Sequence, residues 1–235
     1  MQIQLIRALT FSAAHSVPPS PREGTRRLHG HNYRVELLLH GPLDGQQGWL
    51  LDFADVHNAF APVAEQLDHA HLNNIPGLHT PSIPFLKRWI FGLVKPALPA
   101  LERVVVTILG DLEFTPRRQP EDPLLRLPQR LAVTLESAHR LPRVPESHKC
   151  SRLHGHSFHV EAAAGDLDRL IPLLQRVHER LDHRYLNEIE ELENPTSENL
   201  AVWIWQNLRA DAPDLAVVAV RESADCACIY RGEEG

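Results

Sequence analysis

The chain is poor in cysteine, with three in 235 residues, all in the second half. An odd, lopsided count argues against a disulfide scaffold and fits a reducing compartment such as the cytoplasm. There is no block of lysine and arginine, and the formal charge is −6, so no nucleic-acid partner is expected. The opening MQIQLIRALTFSAAHS has no basic region followed by an apolar run, so no signal peptide is expected. No apolar run approaches the length that spans a membrane, so no membrane partner is expected either. What is present is a globular balance, 43% hydrophobic and 23% charged, long enough for one large domain or two small ones. Histidine is abundant, with fifteen residues, and their placement matters more than their number.

The chain repeats itself. FSAAHS (11–16) matches LESAHR (135–140), and RLHGHNYRVE (27–36) matches RLHGHSFHVE (152–161). LDHAHLNN (67–74) matches LDHRYLNE (181–188), and PSIPFLKRWIF (81–91) matches PTSENLAVWIW (195–205). The offset falls from 125 at HGH to 114 at LDH, so the second copy lacks a counterpart of roughly GPLDGQQGWLLDF (41–53). TPRRQPEDPLLRLPQ (115–129), rich in proline and charge, reads as the linker between units 1–114 and 130–235.

Each copy reads as strand, strand, helix, helix, strand. IQLIRALTFSAAH and RLAVTLESAH carry partial alternation and β-branched residues, and HNYRVELLLH and HSFHVEAAA follow as second strands. In the first copy GWLLDF, entered through DGQQG, is expected to return as a hairpin. ADVHNAFAPVAEQL and DLDRLIPLLQRVHERL place apolar residues at helical spacing. PTSENLAVWIWQNL opens with a helix-start signature. RVVVTILG and DLAVVAVRES read as closing strands. The sum is an α+β unit used twice.

Two histidines at i and i+2 on a strand share a face, and the glycine between them leaves room for close backbone approach. His29 with His31, and His154 with His156, are such pairs, and His15 and His139 end the preceding strands. If those strands pair antiparallel, three imidazoles converge in each copy, the ligand set of a catalytic zinc site with an open position. A single HxH is more often a surface turn, but duplication with the third histidine retained argues for metal. Cys150, four residues before His154, reads either as a buried inert thiol or as a thiolate base or nucleophile. Asp182–His183 supplies a carboxylate able to orient an imidazole. Glu222 ends a buried run and needs either water, an arginine such as Arg221, or a ligand edge with two N–H donors. Cys226 and Cys228 read as structural.

Together these stretches resemble the 6-pyruvoyl-tetrahydropterin synthase family. SAHRLPRVPESHKCSRLHGHSF, RLDHRYLNEIEELENPTSENLAVWIW and RESADCACIYRGE carry the likeness over nearly all of 130–234, which is most similar to the family's 6-carboxy-5,6,7,8-tetrahydropterin synthases of queuosine biosynthesis. The first copy resembles the family over roughly 3–111. The resemblance implies the T-fold, an antiparallel four-stranded sheet with two helices on one face, in tandem and assembled into homo-oligomers through barrels. It implies Zn2+ on His139, His154 and His156, a catalytic set matching Cys150, His183 and Asp182, and a pterin anchored by Glu222 with help from Thr196, Ser197 and Glu198. The implied reaction converts 7,8-dihydroneopterin triphosphate to the 6-carboxy pterin, acetaldehyde and triphosphate. The rival functions are 6-pyruvoyl-tetrahydropterin synthesis and a non-catalytic zinc- and pterin-binding role.

The first copy keeps His15, His29, His31, Asp68 and His69, but carries Thr25 for the cysteine, Pro84 for Glu198 and Ile108 for Glu222. It is expected to hold zinc without catalysing. Family sites lie between neighbouring subunits, so the Cys150 site draws either on Asp68 and His69 or on Asp182 and His183; the sequence leaves both open.

Overall fold

The computed structural model describes residues 1–232, so the last three residues of the expected second unit lie outside the described residues. The first unit opens with β1 (Gln2–His15) and β2 (His29–Pro42), antiparallel from Gln2 opposite Pro42 to His15 opposite His29. One helical turn, α1 (Glu23–Arg26), sits in their connection. The chain then runs through α2 (Phe53–Leu67), the two-residue parallel strand β3 (Ala70–His71) and α3 (Ile83–Val94), and closes with β4 (Leu101–Ile108) antiparallel to β2. Val56, Phe60, Val63 and Leu67 recur along one stripe of α2, and Leu86, Ile90 and Val94 along one stripe of α3. Both stripes bury against the alternate residues Tyr33, Val35, Leu37 and Leu39 of β2.

The hairpin expected at GWLLDF does not form. Pro42 ends β2 with no amide to offer a returning strand. Asp44 closes a local loop, its Oδ1 accepting from the amides of Gln46 and Gln47. Leu50 then folds onto β2, where a Cβ on Gly41 would lie 2.6 Å from its Cδ1.

The second unit comprises β5 (Arg117–Gln119), β6 (Arg130–His139), β7 (His154–Ala163), α4 (Leu167–Leu181), α5 (Ser197–Arg209), β8 (Val217–Arg221) and β9 (Cys228–Tyr230). Its sheet runs β5-β6-β7-β8-β9, all antiparallel. The four expected strands become five, because part of the 115–129 stretch pairs with β6 and CIY folds back along β8. Helices α4 and α5 cover one face through Leu170, Leu174, Val177, Leu200, Ile204 and Leu208. The two α+β units expected from the repeat are therefore present. No described helix is long and apolar enough to cross a membrane.

The units pack sheet against sheet, β1 and β2 against β6 and β7. All ten residues of β6 are buried, whereas the first half of β1 alternates exposed and half-buried. A sheet covered by helices on one face keeps the other face wet; β6 does not, because the first unit covers it. At the contact the two HGH glycines stand back to back. A Cβ on Gly30 would lie 2.2 Å from Gly155 Cα, and one on Gly155 would lie 2.4 Å from Gly30 Cα. Only a residue without Cβ permits this approach.

Candidate metal and catalytic site

The antiparallel ladders put His139 opposite His154 and His15 opposite His29, with His156 and His31 two residues along the same faces. Each triad converges as the repeat predicts: the ligating atoms of His139, His154 and His156, and those of His15, His29 and His31, lie within 4.8 Å of one another. The fixed tautomers fit a metal. Nδ1 of His139 faces the Pro195 carbonyl at 2.9 Å and Nδ1 of His154 the Arg152 carbonyl at 2.8 Å. In the first triad Nδ1 of His15 faces Pro81 O at 3.0 Å and Nδ1 of His29 faces Arg27 O at 2.8 Å. A carbonyl accepts only from Nδ1–H, so the Nε2 lone pairs point inward. Nε2 of His15, His29 and His156 is buried without a hydrogen-bond partner, and those of His139 and His154 face each other at 3.0 Å. Burial holds His154 at about 2, His139 at about 4 and His29 and His31 at about 3, so these imidazoles are neutral at neutral pH, the form that can ligate a metal.

The two LDH motifs are exchanged between the units. Asp68 and His69 of the first unit stand at the second triad: the His69 ring stacks on His154 at 4.4 Å, and His69, Cys150 and His154 form a three-ligand cluster. Asp182 and His183 of the second unit stand at the first triad, with the His183 ring 4.5 Å from that of His29. Both histidines follow a helix C-terminus and hold left-handed backbone, φ 53° in each. The strain persists because the neighbouring strand grips the turn: the His69 amide donates to Ser12 O, and the His183 amide to Glu136 O. Each aspartate clamps the same strand, Asp68 Oδ1 accepting from the Ser12 amide and Asp182 Oδ1 from the Glu136 amide. Asp68 Oδ2 lies 2.9 Å from His69 Nδ1, and Asp182 Oδ2 lies 2.6 Å from His183 Nδ1. Burial alone would raise Asp68, but its contacts with His69 and the Ser12 amide and the charge of Lys149 hold it at about 2.

Beside Cys150 opens a cavity of about 420 Å³, lined by His148, Thr196, Ser197, Glu198, Glu222 and both Cys226 and Cys228 among others. Thr196 and Ser197 reach it because Thr196 caps α5, its hydroxyl accepting from the Asn199 amide. Glu222 lies one residue past β8. Burial pushes its carboxyl up, the Ser197 hydrogen bond pulls it back, and the Glu198 charge pushes it up again. Burial and then the Glu222 charge raise the Cys150 thiol, so in this state it is a protonated thiol rather than the thiolate considered from sequence. Cys226 and Cys228, read as structural, line the cavity.

Among the described residues, no cysteine joins the first triad. The Thr25 hydroxyl donates to the Arg22 carbonyl at 2.9 Å and lies 2.6 Å from Ser20 Oγ, so it is held within its own loop. Ile108 ends β4 opposite Tyr33. Two residues absent from the sequence reading also belong to the site. Asn32 Oδ1 faces His156 Nδ1 at 3.1 Å while its Nδ2 donates to the Glu222 carbonyl at 2.7 Å. Glu136 bonds His31 Nδ1 from the other unit. The available signal was their place near the triad histidines, at positions where the copies differ (Ser12 for Glu136, Ser157 for Asn32).

Fold and site thus define a tandem α+β protein with two paired three-histidine centres, one of them joined to a cysteine and a ligand-sized cavity. The chain belongs to the 6-pyruvoyl tetrahydropterin synthase family, whose model matches residues 4–110 and again 130–233. It is 38% identical over 117 residues to a 6-carboxy-5,6,7,8-tetrahydropterin synthase of Synechocystis, covering 41% of this chain and 87% of that protein. It is 32% identical to the Bacillus subtilis protein of the same name (43% and 82% covered), and 29% identical to a dihydroneopterin monophosphate aldolase of Pyrococcus furiosus (42% and 81% covered). Each match spans under half of this chain and most of the relative, as a two-unit chain requires.

Proposed function

We propose that the chain is a zinc-dependent 6-carboxy-5,6,7,8-tetrahydropterin synthase with one catalytic centre, taking 7,8-dihydroneopterin triphosphate and water to 6-carboxytetrahydropterin, acetaldehyde and triphosphate. The observation that carries this reading is the meeting of Asp68–His69 from one unit with Cys150, its histidine triad and the Glu222 cavity from the other. His139, His154 and His156 would hold the ion, which supplies Lewis-acid stabilisation of charge developing on substrate oxygens. Glu222 accepts from the N–H edge of the pterin, with Thr196, Ser197 and Glu198 closing the cavity around the ring. Burial and then the Glu222 charge oppose Cys150 ionisation, and N–H donors on Glu222 disperse part of that charge, so substrate binding favours the thiol acting as a base. His69, oriented by Asp68, is the second group that can move a proton. Asp182–His183, set against a triad with no thiol and no glutamate anchor, keeps the geometry of the motif without serving Cys150.

The units divide as 1–114 and 130–235, with 115–129 joining them and lending β5 to the sheet of the second. Among the described residues, no strand pairs with the edge of β1 away from β2 between Gln2 and Ser12, or with the outer edge of β4. Open edges recruit strands, so we place homo-oligomer contacts there; light scattering showing a monomer at micromolar concentration would remove this part of the proposal. The three free cysteines suit a cytoplasmic enzyme.

Product analysis by mass spectrometry, with zinc-loaded protein and 7,8-dihydroneopterin triphosphate, tests the function. A 6-carboxy pterin with acetaldehyde is expected, and Cys150→Ala should abolish it. A 6-pyruvoyl product would replace the reaction while keeping the site. Bound but unreacted pterin would move the chain to a binding role.

A further inference from the structure

Each triad's third histidine is supported across the interface by a residue of the other unit, and the two supports differ in charge. At the Cys150 centre His156 Nδ1 faces the neutral Asn32 amide oxygen. At the first triad His31 Nδ1 meets the Glu136 carboxylate. The exchange follows the repeat: Ser12 and Asn32 of the first unit stand where the second has Glu136 and Ser157. Ser12 Oγ donates to Asn32 Oδ1 at 2.8 Å, and Ser157 Oγ donates to Glu136 Oε2 at 2.8 Å, so each acceptor is fixed by the serine at the matching position.

Glu136 is fully buried. Its Oε1 has no hydrogen-bond partner, and its Oε2 meets the neutral His31 imidazole and the Ser157 hydroxyl. A carboxylate taken out of water needs a cation or several donors, and among the described residues no lysine or arginine is paired with it. Gly110 leaves the space it occupies: a Cβ there would lie 1.4 Å from Oε1. A divalent ion held by the far nitrogen of His31 would supply the missing charge. A carboxylate behind a metal-bound imidazole raises the ligand's basicity and tightens the hold on the ion, whereas an amide does so less.

The geometry points to two centres of different character: Glu136 makes the His15–His29–His31 triad a tightly held, structural divalent-metal centre, and Asn32 leaves the His139–His154–His156 triad the exchangeable one. This rests on the metal reading of the triads and not on the identity of the product. The structural centre braces the unit interface from which His69 and Asn32 reach the Cys150 site, which explains why a triad without a thiol keeps all three ligands.

The test is zinc release from the full chain to a chromophoric chelator, followed in time. Two zinc ions per chain are expected, leaving in two phases at least ten-fold apart, with His29→Ala deleting the slow one. Glu136→Gln should speed the slow phase by about 10- to 100-fold and leave the fast phase in place. Asn32→Asp, at a position less buried than Glu136, should slow the fast phase by about ten-fold. One ion per chain, a single phase in the unaltered protein, or Glu136→Gln and Asn32→Asp both releasing zinc at unaltered rates would overturn the proposal. Biphasic release from a protein that makes no pterin product would leave it standing and sink the catalytic reading alone.

Discussion

At the scale of single residues, the pairing of His69 with Cys150 separates two histidines that the repeat makes look equivalent. His69→Ala should lower kcat by roughly 10²- to 10⁴-fold, the usual loss for a positioned proton-transfer group. His183→Ala should keep turnover within several-fold of the unaltered protein; the opposite ranking in steady-state assays would transfer the role to His183. The buried imidazoles also set an acid limit. Burial holds His139 at about 4, His154 at about 2 and His29 and His31 at about 3, whereas the unfolded chain protonates near 6.5. Below 6.5 the unfolded state binds more protons than the folded one, so stability is intact above that pH and falls as pH drops through the window below it. Each such histidine contributes a slope of about 1.4 kcal/mol per pH unit. The melting temperature of chelator-stripped protein should therefore fall between pH 7 and pH 5, and a flat profile would contradict neutral buried imidazoles.

At the scale of elements, strand ends and helix ends do the positioning. The histidines end β1 and β6 and begin β2 and β7, so one antiparallel pairing per unit builds each triad. Helices α2 and α4 end on Asp68 and Asp182, and the left-handed residue after each carries its imidazole toward the other unit's triad. Alternation and helical spacing made these elements legible in the sequence. The missing hairpin at GWLLDF and the added β5 and β9 were not legible, because pairing of a short strand depends on which edge is free to receive it rather than on its own pattern. One buried pair holds the second sheet at its β6–β7 step: Arg130 Nε donates to Glu161 Oε2 at 2.5 Å, both residues being buried. Glu161→Ala leaves that guanidinium without its carboxylate and should cost about 3–5 kcal/mol, read from the shift of a urea unfolding midpoint; a change below about 1 kcal/mol would mean that water or the Pro120 carbonyl suffices.

At the scale of the whole molecule, the packing of the two sheets is what completes the site. The second unit holds Cys150, Glu222 and a triad, but His69 and Asn32 come from the first. The back-to-back glycines set the separation. Gly155→Ala places a methyl group against Gly30 Cα and the Ser137 carbonyl, closer than atoms approach. We expect a loss of about 1–3 kcal/mol and a fall in turnover out of proportion to it, because His69 and Asn32 move away from Cys150 together. Unchanged turnover with full zinc content would show that the interface tolerates the shift.

The sequence by itself determined the duplication, the α+β class of each unit and the two histidine triads, and it marked Cys150, Glu222 and the first copy's Thr25, Pro84 and Ile108 as the positions where the copies differ. These are local facts, set by spacing along one or two strands and by comparison of the chain with itself. Only the tertiary structure decided which LDH motif faces which triad, and which residues stand behind His31 and His156. Those contacts join positions more than a hundred residues apart or lie across the face between the two sheets, where no periodicity records the partner. The same physical cause explains why Glu136 was missed: a strand covered on both faces carries no pattern that separates a core position from one reaching into the other unit.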